Sequence, residues 1–91
     1  MKELRYTGQF KKDLKRFLNQ PKKLQELNNV LNLLRNEVPL PEKYRAHSLQ
    51  GKYSGCMECH IEGDFLLVWY DEEHDIIALF RLGSHSELFK K

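Results

Sequence analysis

The spacing of apolar residues in the first half of the chain predicts one short strand and two helices. Residues 2–7 alternate weakly between polar and apolar side chains, which is typical of a half-buried strand. The helical spacing that follows predicts an amphipathic helix ending near Asn19, because Pro21 disfavours helical geometry at the residue before it. Pro21 also suits the first turn of a second helix. The two apolar stripes comprise Phe10, Leu14, Phe17 and Leu18, and then Leu24, Leu27, Val30, Leu31 and Leu34.

The second half of the chain has the pattern of three consecutive strands. An ordered loop over residues 36–47, which contains two prolines, separates these strands from the helices. Residues 56–61 alternate between apolar and polar side chains, whereas residues 65–70 are apolar throughout, as expected for a central strand covered on both faces. Residues 76–82 form the third strand. Because short turns join the three segments, we expect them to pair antiparallel.

A capping-box pattern completes the predicted fold. Ser84 and Glu87 have the spacing at which a short helix begins. We expect one α+β domain over residues 1–91, with an N-terminal strand, a helical hairpin packed on a small twisted antiparallel sheet, and a short C-terminal helix. No apolar run approaches the ~20 residues of a membrane span, and the first residues lack the apolar stretch of a signal peptide. We therefore expect a cytoplasmic protein that binds no membrane.

The distribution of charge is more informative than the formal net charge of +2. Residues 1–52 carry twelve basic and five acidic side chains, which gives a net charge of +7. Residues 53–91 carry three basic and eight acidic side chains, which gives −5. A basic half favours a polyanionic partner such as a nucleic acid, although a solvated helical hairpin has the same pattern.

The segment Cys56-Met57-Glu58-Cys59-His60 matches the C-x-x-C-H pattern of covalent haem attachment. Strand alternation places the two thiols on opposite faces, so they do not converge on a haem or a zinc ion. A redox motif of the thioredoxin type needs a helix that begins directly after the strand. We therefore interpret Cys59 as a buried thiol that packs like a small apolar side chain. No metal and no cofactor are expected.

Histidines stand at the boundaries of the predicted elements. His47 ends the loop, His60 lies near the end of a strand and His85 begins the short helix, whereas His74 lies in a polar turn and is expected to be only solvated. In an antiparallel sheet the end of strand 56–61, the start of the next strand and the end of the third share one edge. The topology therefore predicts that one end of the sheet gathers His60, Asp64, Arg81 and His85.

These side chains suit the cleavage of RNA without a metal. RNA carries its own nucleophile, the 2′-hydroxyl, so an enzyme needs a base, an acid for the leaving 5′-oxygen and cations for the phosphorane charge. Histidine serves as acid or base near neutral pH, and Arg81 can contact phosphate oxygens bidentately. Backbone amides around His85 favour an anion, and the helix dipole there favours the neutral imidazole. Phe89 can stack on a base or plug the core.

Three motifs resemble the YafQ branch of the RelE/ParE toxin superfamily. They are His47-Ser48-Leu49-Gln50-Gly51, the strand end Cys59-His60-Ile61-Glu62 with Asp64, and Arg81-Leu82-Gly83-Ser84-His85-Ser86-Glu87-Leu88-Phe89. The resemblance covers essentially the whole chain, including Tyr6-Thr7-Gly8-Gln9-Phe10-Lys11-Lys12-Asp13. One departure is Phe65, which stands where the family often has tryptophan. The aromatic ring is kept there and the indole N–H donor is lost.

The resemblance implies the toxin of a bacterial type II toxin–antitoxin system, an endoribonuclease that cuts mRNA in the ribosomal A site without a metal. It implies three partners: a cognate antitoxin that blocks the site, the ribosome and mRNA. The free toxin is expected to be monomeric and the antitoxin complex hetero-oligomeric. By motif position, the catalytic residues fall on His47, His60, Asp64 and His85. Contacts to substrate or phosphate fall on Arg81, Phe65 and Phe89.

The resemblance also gives the basic half a role. Side chains of the helical hairpin and the loop are expected to hold the backbone of ribosomal RNA without reading its sequence. They are Lys11, Lys12, Lys15, Arg16, Lys22, Lys23 and Arg45. For the chemistry, His60 or Asp64 is expected on the base side and His85 on the acid side.

Two other functions remain open on the sequence. The ParE branch of the same fold poisons DNA gyrase without cutting RNA, and a nucleic-acid-binding module would use the basic hairpin alone. The ParE branch generally lacks the set formed by His47, His60 and His85, so the histidines favour the nuclease.

Overall fold

The computed structural model describes residues 1–72 and 75–89 of the chain. Its helices and strands are β1 (Glu3–Tyr6), α1 (Gly8–Lys15), α2 (Pro21–Arg35), β2 (His47–Ser48), β3 (Met57–Glu62), β4 (Phe65–Glu72), β5 (Ile76–Gly83) and α3 (His85–Leu88). Short 3-10 turns at Glu42–Tyr44 and Gly51–Tyr53 flank β2. None of the helices in these two ranges is long and apolar enough to cross a bilayer. His74 lies outside the described residues, so its expected solvation stays a prediction.

The strands form one sheet in the order β1-β5-β4-β3-β2. The pairs β3–β4 and β4–β5 are antiparallel, as their short connections predict, and β2, which begins in the segment expected to be a loop, also pairs antiparallel with β3. β1 lies parallel to β5, with Leu4 opposite Ile77, so the sheet is mixed and not wholly antiparallel. Parallel neighbours need a long connection, and here both helices and the other strands separate β1 from β5. The α+β class, the N-terminal strand and the short C-terminal helix are confirmed.

The two faces of the sheet are covered differently. One face packs against the helices in a helical-face core that includes Phe10, Phe17, Leu27, Val30, Leu31, Tyr44, Cys59, Ile61, Phe65, Leu67, Trp69, Ile77, Leu79 and Leu82. The other face carries a smaller site-face cluster of Cys56, Leu66, Val68 and Leu88, with Leu49, Tyr53, Phe80 and Phe89 partly buried against it. Because β4 is covered on both faces, its uninterrupted apolar run is explained.

The first helix is shorter than its apolar spacing predicts. α1 ends at Lys15, and the chain continues in tight turns in which the N–H of Phe17 donates to the carbonyl of Leu14. Phe17 remains buried, but Leu18 is 63% exposed and does not join the apolar stripe. The tight turns rotate the chain away from the helical path before Pro21, which begins α2 as predicted.

A buried carboxylate joins α1 to β5. Asp13 is 1% exposed. Its Oδ2 accepts the backbone N–H of Leu82 at 2.9 Å and Nε of Arg81 at 2.8 Å. Its Oδ1 accepts Nη2 of Arg16 at 3.1 Å and Nε2 of Gln9 at 3.1 Å. β1 ends opposite Leu79, so Asp13 provides the partner that the next strand would have given to Leu82.

Opposing effects act on the pKa of Asp13, and the hydrogen bonds win. Burial raises the pKa because it desolvates the charge, whereas bonds from Arg81, the Leu82 amide and Gln9 lower it. The result is a pKa below the ordinary value of 3.8. A carboxyl with a depressed pKa stabilises the folded state above its unfolded pKa, and that stabilisation is lost as the pH falls through the folded pKa.

We expect Asp13→Asn to lower the free energy of unfolding by about 2–3 kcal/mol at pH 7, because the half-buried Arg81 guanidinium loses its carboxylate. The difference between variant and wild type should shrink as the pH falls below about 4, where the Asp13 carboxyl of the unfolded chain binds a proton, and should vanish once the pH has passed the lower pKa of the folded state. Urea unfolding followed by circular dichroism between pH 2.5 and 7 measures both effects.

Asp71→Asn is the matched control. It removes the charge of Asp71 from an ion pair with Lys2 at the surface. The Asp71 side chain is about half exposed. The stability of this variant should stay close to that of the wild type at every pH. A gap between Asp13→Asn and wild type that stays constant down to pH 2.5 would contradict the assigned role of the Asp13 charge.

Candidate active site

Pairing across the sheet sets one row of polar side chains around an apolar floor. His47 of β2 pairs with Glu58 of β3, Glu58 pairs with Val68 of β4, and Val68 pairs with Arg81 of β5. Directly paired residues share a face of the sheet. His47 and Arg81 therefore flank the same face, with the buried Val68 between them.

The next row of paired residues lies at the end of the sheet where the sequence predicts that the site residues gather. His60 pairs with Leu66, and Leu66 pairs with Gly83. Residues two apart in a strand point to the same face, so His60 lies beside Glu58 and on the same face. The turn after β3 brings in Asp64, whose Oδ1 accepts the backbone N–H of His85 at 2.9 Å. The topology thus places His60, Asp64 and His85 together, with Arg81 one row further in.

His47 and His60 are neighbours on this face. Their ring centroids are 6.2 Å apart. Nδ1 of His47 lies 2.8 Å from the carbonyl oxygen of Arg45, and its Nε2 lies 3.1 Å from Oε1 of Glu58. Both nitrogens of His47 therefore face oxygen atoms, which fix the orientation of its ring. Nδ1 of His60 lies 3.3 Å from the carbonyl oxygen of Gly63, which leaves its Nε2 directed elsewhere.

Local backbone geometry holds these rings in place. Arg45 adopts a left-handed conformation with φ +51°, which is uncommon for a residue other than glycine. At the other side of the site, the predicted capping box is present: Ser84 Oγ accepts the N–H of Glu87 at 3.2 Å, and Glu87 Oε1 accepts the N–H of Ser84 at 2.7 Å. A Cβ on Gly83 would lie 2.7 Å from that Glu87 oxygen, so glycine is required before the box.

Arg81 is oriented from two sides. Its Nε and Nη2 donate to the two Asp13 oxygens, and its Nη1 donates to the Tyr53 hydroxyl at 3.3 Å. The hydrogen bond to Asp13 raises the pKa of Arg81 above its ordinary value. Its side chain is 19% exposed, so the guanidinium is fixed at the edge of the site with part of its surface open. A fixed planar guanidinium is suited to a phosphate oxygen.

The two predicted substrate-contacting phenylalanines occupy different places. Phe89 follows α3, and its ring centroid lies 4.9 Å from that of His85, at the edge of the site. Phe65 is 2% exposed and packs on Phe17 in the helical-face core. The expectation that Phe65 contacts substrate is therefore corrected, because its ring lies on the face of the sheet opposite to the histidines.

The basic side chains divide into free and paired ones. Lys11, Lys12 and Lys15 are exposed on α1. Arg16, in contrast, lies near the carboxylates of Asp13 and Glu87. Lys23 lies 3.7 Å from Glu62 and over the ring of Phe65. Lys22 and Arg45 are exposed. α1 thus carries three exposed lysines of the predicted set close together.

A comparison with known proteins decides the family. The profile of the family "Bacterial toxin of type II toxin-antitoxin system, YafQ" matches residues 2–90. The chain belongs to the YafQ family. A curated relative, the "mRNA interferase toxin YafQ" of Escherichia coli strain K12, is 34% identical over 89 residues, which cover 97% of this chain and 96% of that protein.

Solved structures of bacterial toxins share the fold. A copper-bound mutant toxin from Helicobacter pylori is 39% identical and superposes with a TM-score of 0.88 over 98% of this chain and 100% of that one. YafQ from Escherichia coli BL21(DE3) is 31% identical, with a TM-score of 0.87 over 98% of this chain and 99% of that one. The toxin in the Escherichia coli DinJ–YafQ complex is 32% identical, with a TM-score of 0.84 and the same coverage.

Three residues of this YafQ-family site are not found by the sequence reasoning. They are Asp13, Tyr53 and Glu58, which contact Arg81 or His47. Asp13 has a detectable signal, since it stands three residues after Phe10 and four before Phe17 and so interrupts an apolar stripe with a carboxylate. Glu58 shares its strand face with His60, but its burial to 4% exposure follows only from the packing around it.

The two cysteines of the toxin lie on opposite faces, as strand alternation predicts. Cys59 belongs to the helical-face core and Cys56 to the site-face cluster, and both are free thiols. Burial raises the pKa of Cys59 to about 12 and also raises the pKa of Cys56. Neither thiol is therefore a ready nucleophile near neutral pH.

We expect both thiols of the folded toxin to react with a maleimide at pH 8 roughly a hundredfold more slowly than in the unfolded chain. Mass spectrometry of timed samples measures the rates. Cys56→Ser and Cys59→Ser variants assign each rate to one thiol. Rapid labelling of one equivalent in the native protein would contradict the inert role given to that cysteine.

Proposed function

We propose that this YafQ-family toxin is an endoribonuclease that cuts mRNA in the ribosomal A site by metal-independent acid–base chemistry and so inhibits translation. Family membership supports the toxin role, and the name of the Escherichia coli relative describes it as an mRNA interferase. The observation that carries the proposal is the joining of Asp64 to His85 beside the neighbouring rings of His47 and His60.

His60 is assigned as the base. When its Nδ1–H donates to the carbonyl of Gly63, Nε2 carries the lone pair and can accept the proton of the ribose 2′-hydroxyl. The 2′-oxygen then attacks phosphorus, the bond from phosphorus to the 5′-oxygen breaks, and a 2′,3′-cyclic phosphate and a 5′-hydroxyl are formed. Asp64, whose Oδ1 already accepts the N–H of His85, orients α3 and contributes negative charge at the turn.

His85 is assigned as the acid that protonates the leaving 5′-oxygen. Its ring is exposed and lies next to Phe89, whereas its backbone is held by Asp64. Arg81 is assigned to the non-bridging phosphate oxygens, because the phosphorane gains charge there and a preoriented cation stabilises it. His47, oriented by the Arg45 carbonyl and the Glu58 carboxylate, completes the proposed catalytic set at the opposite side of the site.

The proposal includes partners for two other surfaces. The exposed lysines of α1 support binding to the backbone of ribosomal RNA, which depends on charge and not on sequence. A cognate antitoxin, by analogy with DinJ in the Escherichia coli complex, covers the toxin in a hetero-oligomer. The free toxin is then a monomer of the bacterial cytoplasm.

Cell-free translation of a defined mRNA tests the nuclease. Wild-type toxin should cut at the A-site codon only when ribosomes are present, and leave a 2′,3′-cyclic phosphate. His85→Ala should lower the cleavage rate by about 10²–10⁴-fold, the range for loss of a general acid. Lys43→Ala, which changes an exposed lysine near Glu26, should cleave at the wild-type rate. Uncut mRNA accompanied by inhibited DNA supercoiling would point to gyrase.

A chelator arm of the same assay tests metal independence. The relative from Helicobacter pylori binds copper, so a chelator selective for transition metals is added while the Mg²⁺ that ribosomes need is kept. Cleavage should continue at an unchanged rate. Loss of cleavage that returns on adding Cu²⁺ would reject the metal-independent mechanism.

Charge reversal on α1 tests ribosome docking. The triple variant Lys11→Glu, Lys12→Glu and Lys15→Glu should weaken ribosome binding and reduce the slope of log K against log salt by about 2–3, since each lost phosphate contact removes about 0.7–0.9. Filter binding at several KCl concentrations measures the slope. An unchanged slope would place the rRNA contact elsewhere, and Lys43→Ala is again the control.

A further inference from the structure

A small cleft opens on the histidine face next to the proposed acid. It has a volume of about 190 Å³ and is lined by Gln50, Lys52, Tyr53, Leu88 and Phe89. Pockets for drug-sized ligands usually measure about 300–1,000 Å³, so this cleft suits one flat ring system. It lies between the turn that follows β2 and the end of α3.

Aromatic rings form its walls and connect it to the catalytic side chain. The rings of Tyr53 and Phe89 are perpendicular, with centroids 5.6 Å apart. Phe89 in turn lies 4.9 Å from the ring of His85. The buried Leu88 belongs to the site-face cluster that supports these rings. A planar group in the cleft would therefore be separated only by the Phe89 ring from the His85 imidazole, the proposed acid for the leaving oxygen.

Cations flank the same wall. The Tyr53 hydroxyl accepts Nη1 of Arg81 at 3.3 Å, which holds the phenol ring in position, and Nζ of Lys52 lies 5.6 Å from the ring centroid. The Tyr53 ring has Lys52 on one side and Arg81 on the other. It is therefore suited to stack on a nucleobase while the two cations contact the phosphates that flank that base. Gln50 adds an amide with both a donor and an acceptor, the groups that pair with base edges.

We propose that this cleft binds the nucleobase flanking the scissile phosphate, with Tyr53 as a stacking wall and Gln50 as the residue that discriminates among bases. The inference rests on the proposed nuclease function and adds to it a subsite for the base. Tyr53 also links the subsite to the phosphate, because one hydroxyl joins its ring to Arg81.

The test uses ribosomes that carry an mRNA with one 2′-deoxyribose in the A site, which removes the nucleophile and so blocks cleavage. The fluorescent base 2-aminopurine stands next to that position. Adding wild-type toxin should change the fluorescence of the probe, because stacking alters it. Tyr53→Leu should abolish the change and raise the apparent Kd by about tenfold or more, in line with the loss of one base–aromatic stack. Tyr53→Phe keeps the ring and should retain the change.

Tyr70→Leu is the matched control. Tyr70 is an exposed tyrosine that stacks on Phe80 outside the cleft, and its replacement should leave the probe signal as in the wild type. Circular dichroism shows whether each variant is folded. If Tyr53→Leu fails to fold, Gln50→Leu replaces it, because Gln50 is exposed. The measurement is then the pattern of cut sites.

Gln50→Leu should redistribute cleavage among codons in an mRNA library by fivefold or more at affected sites, measured as each site's share of that variant's own total cleavage. An unchanged distribution rejects the role of Gln50, and an unchanged probe signal in a folded Tyr53→Leu rejects the subsite. Wild-type toxin that does not cut a 2′-hydroxyl mRNA on ribosomes refutes the nuclease itself, which separates the two failures.

Discussion

The Asp13 carboxylate is the interaction on which the rest of the structure depends. It joins α1 to the end of β5 and fixes the guanidinium of Arg81. It also accepts the backbone N–H of Leu82, which has no partner in β1 because that strand ends opposite Leu79. A buried charge is costly without partners, and here every partner is a donor, two of them near Asp13 in sequence and two at the end of β5. The fold and the site therefore share one electrostatic contact, in which the group that stabilises the helix also positions the phosphate-binding cation.

Around that contact, the site combines strand residues, His60 and Arg81, with residues from connections and short edge elements. His47 lies on a two-residue edge strand after a left-handed Arg45, Asp64 lies in a turn, and His85 is the first helical residue within the capping box of Ser84 and Glu87. The sheet contributes an apolar floor, Leu66 and Val68, which are fully buried. A rigid floor under loop-borne side chains is the usual way in which proteins place reactive groups precisely enough for chemistry.

The basic and acidic halves of the chain meet in this arrangement. The acidic half contributes His60, Asp64, Arg81 and His85, whereas the basic half contributes His47 and α1 with its exposed lysines. Arg16 shows why formal charge alone misleads, since its guanidinium lies near Asp13 and Glu87. The net charge of a segment indicates the class of partner that it binds. Which cationic side chains can contact that partner depends on whether a carboxylate lies next to them in the folded structure.

Local patterns along the chain were enough to predict both helices, three antiparallel strands, the capping box and the opposite faces of Cys56 and Cys59. Each of these depends on residues close in sequence, through periodicity, proline geometry or short turns. The gathering of His60, Asp64 and His85 also followed, because antiparallel connectivity determines which strand ends meet. The sequence alone did not reveal the parallel pairing of β1, the exposure of Leu18, the burial of Phe65 or the roles of Asp13, Tyr53 and Glu58. Those depend on contacts between residues far apart in the chain, such as Asp13 with Arg81, and only tertiary packing decides which side chain lies within bonding distance and which is removed from water.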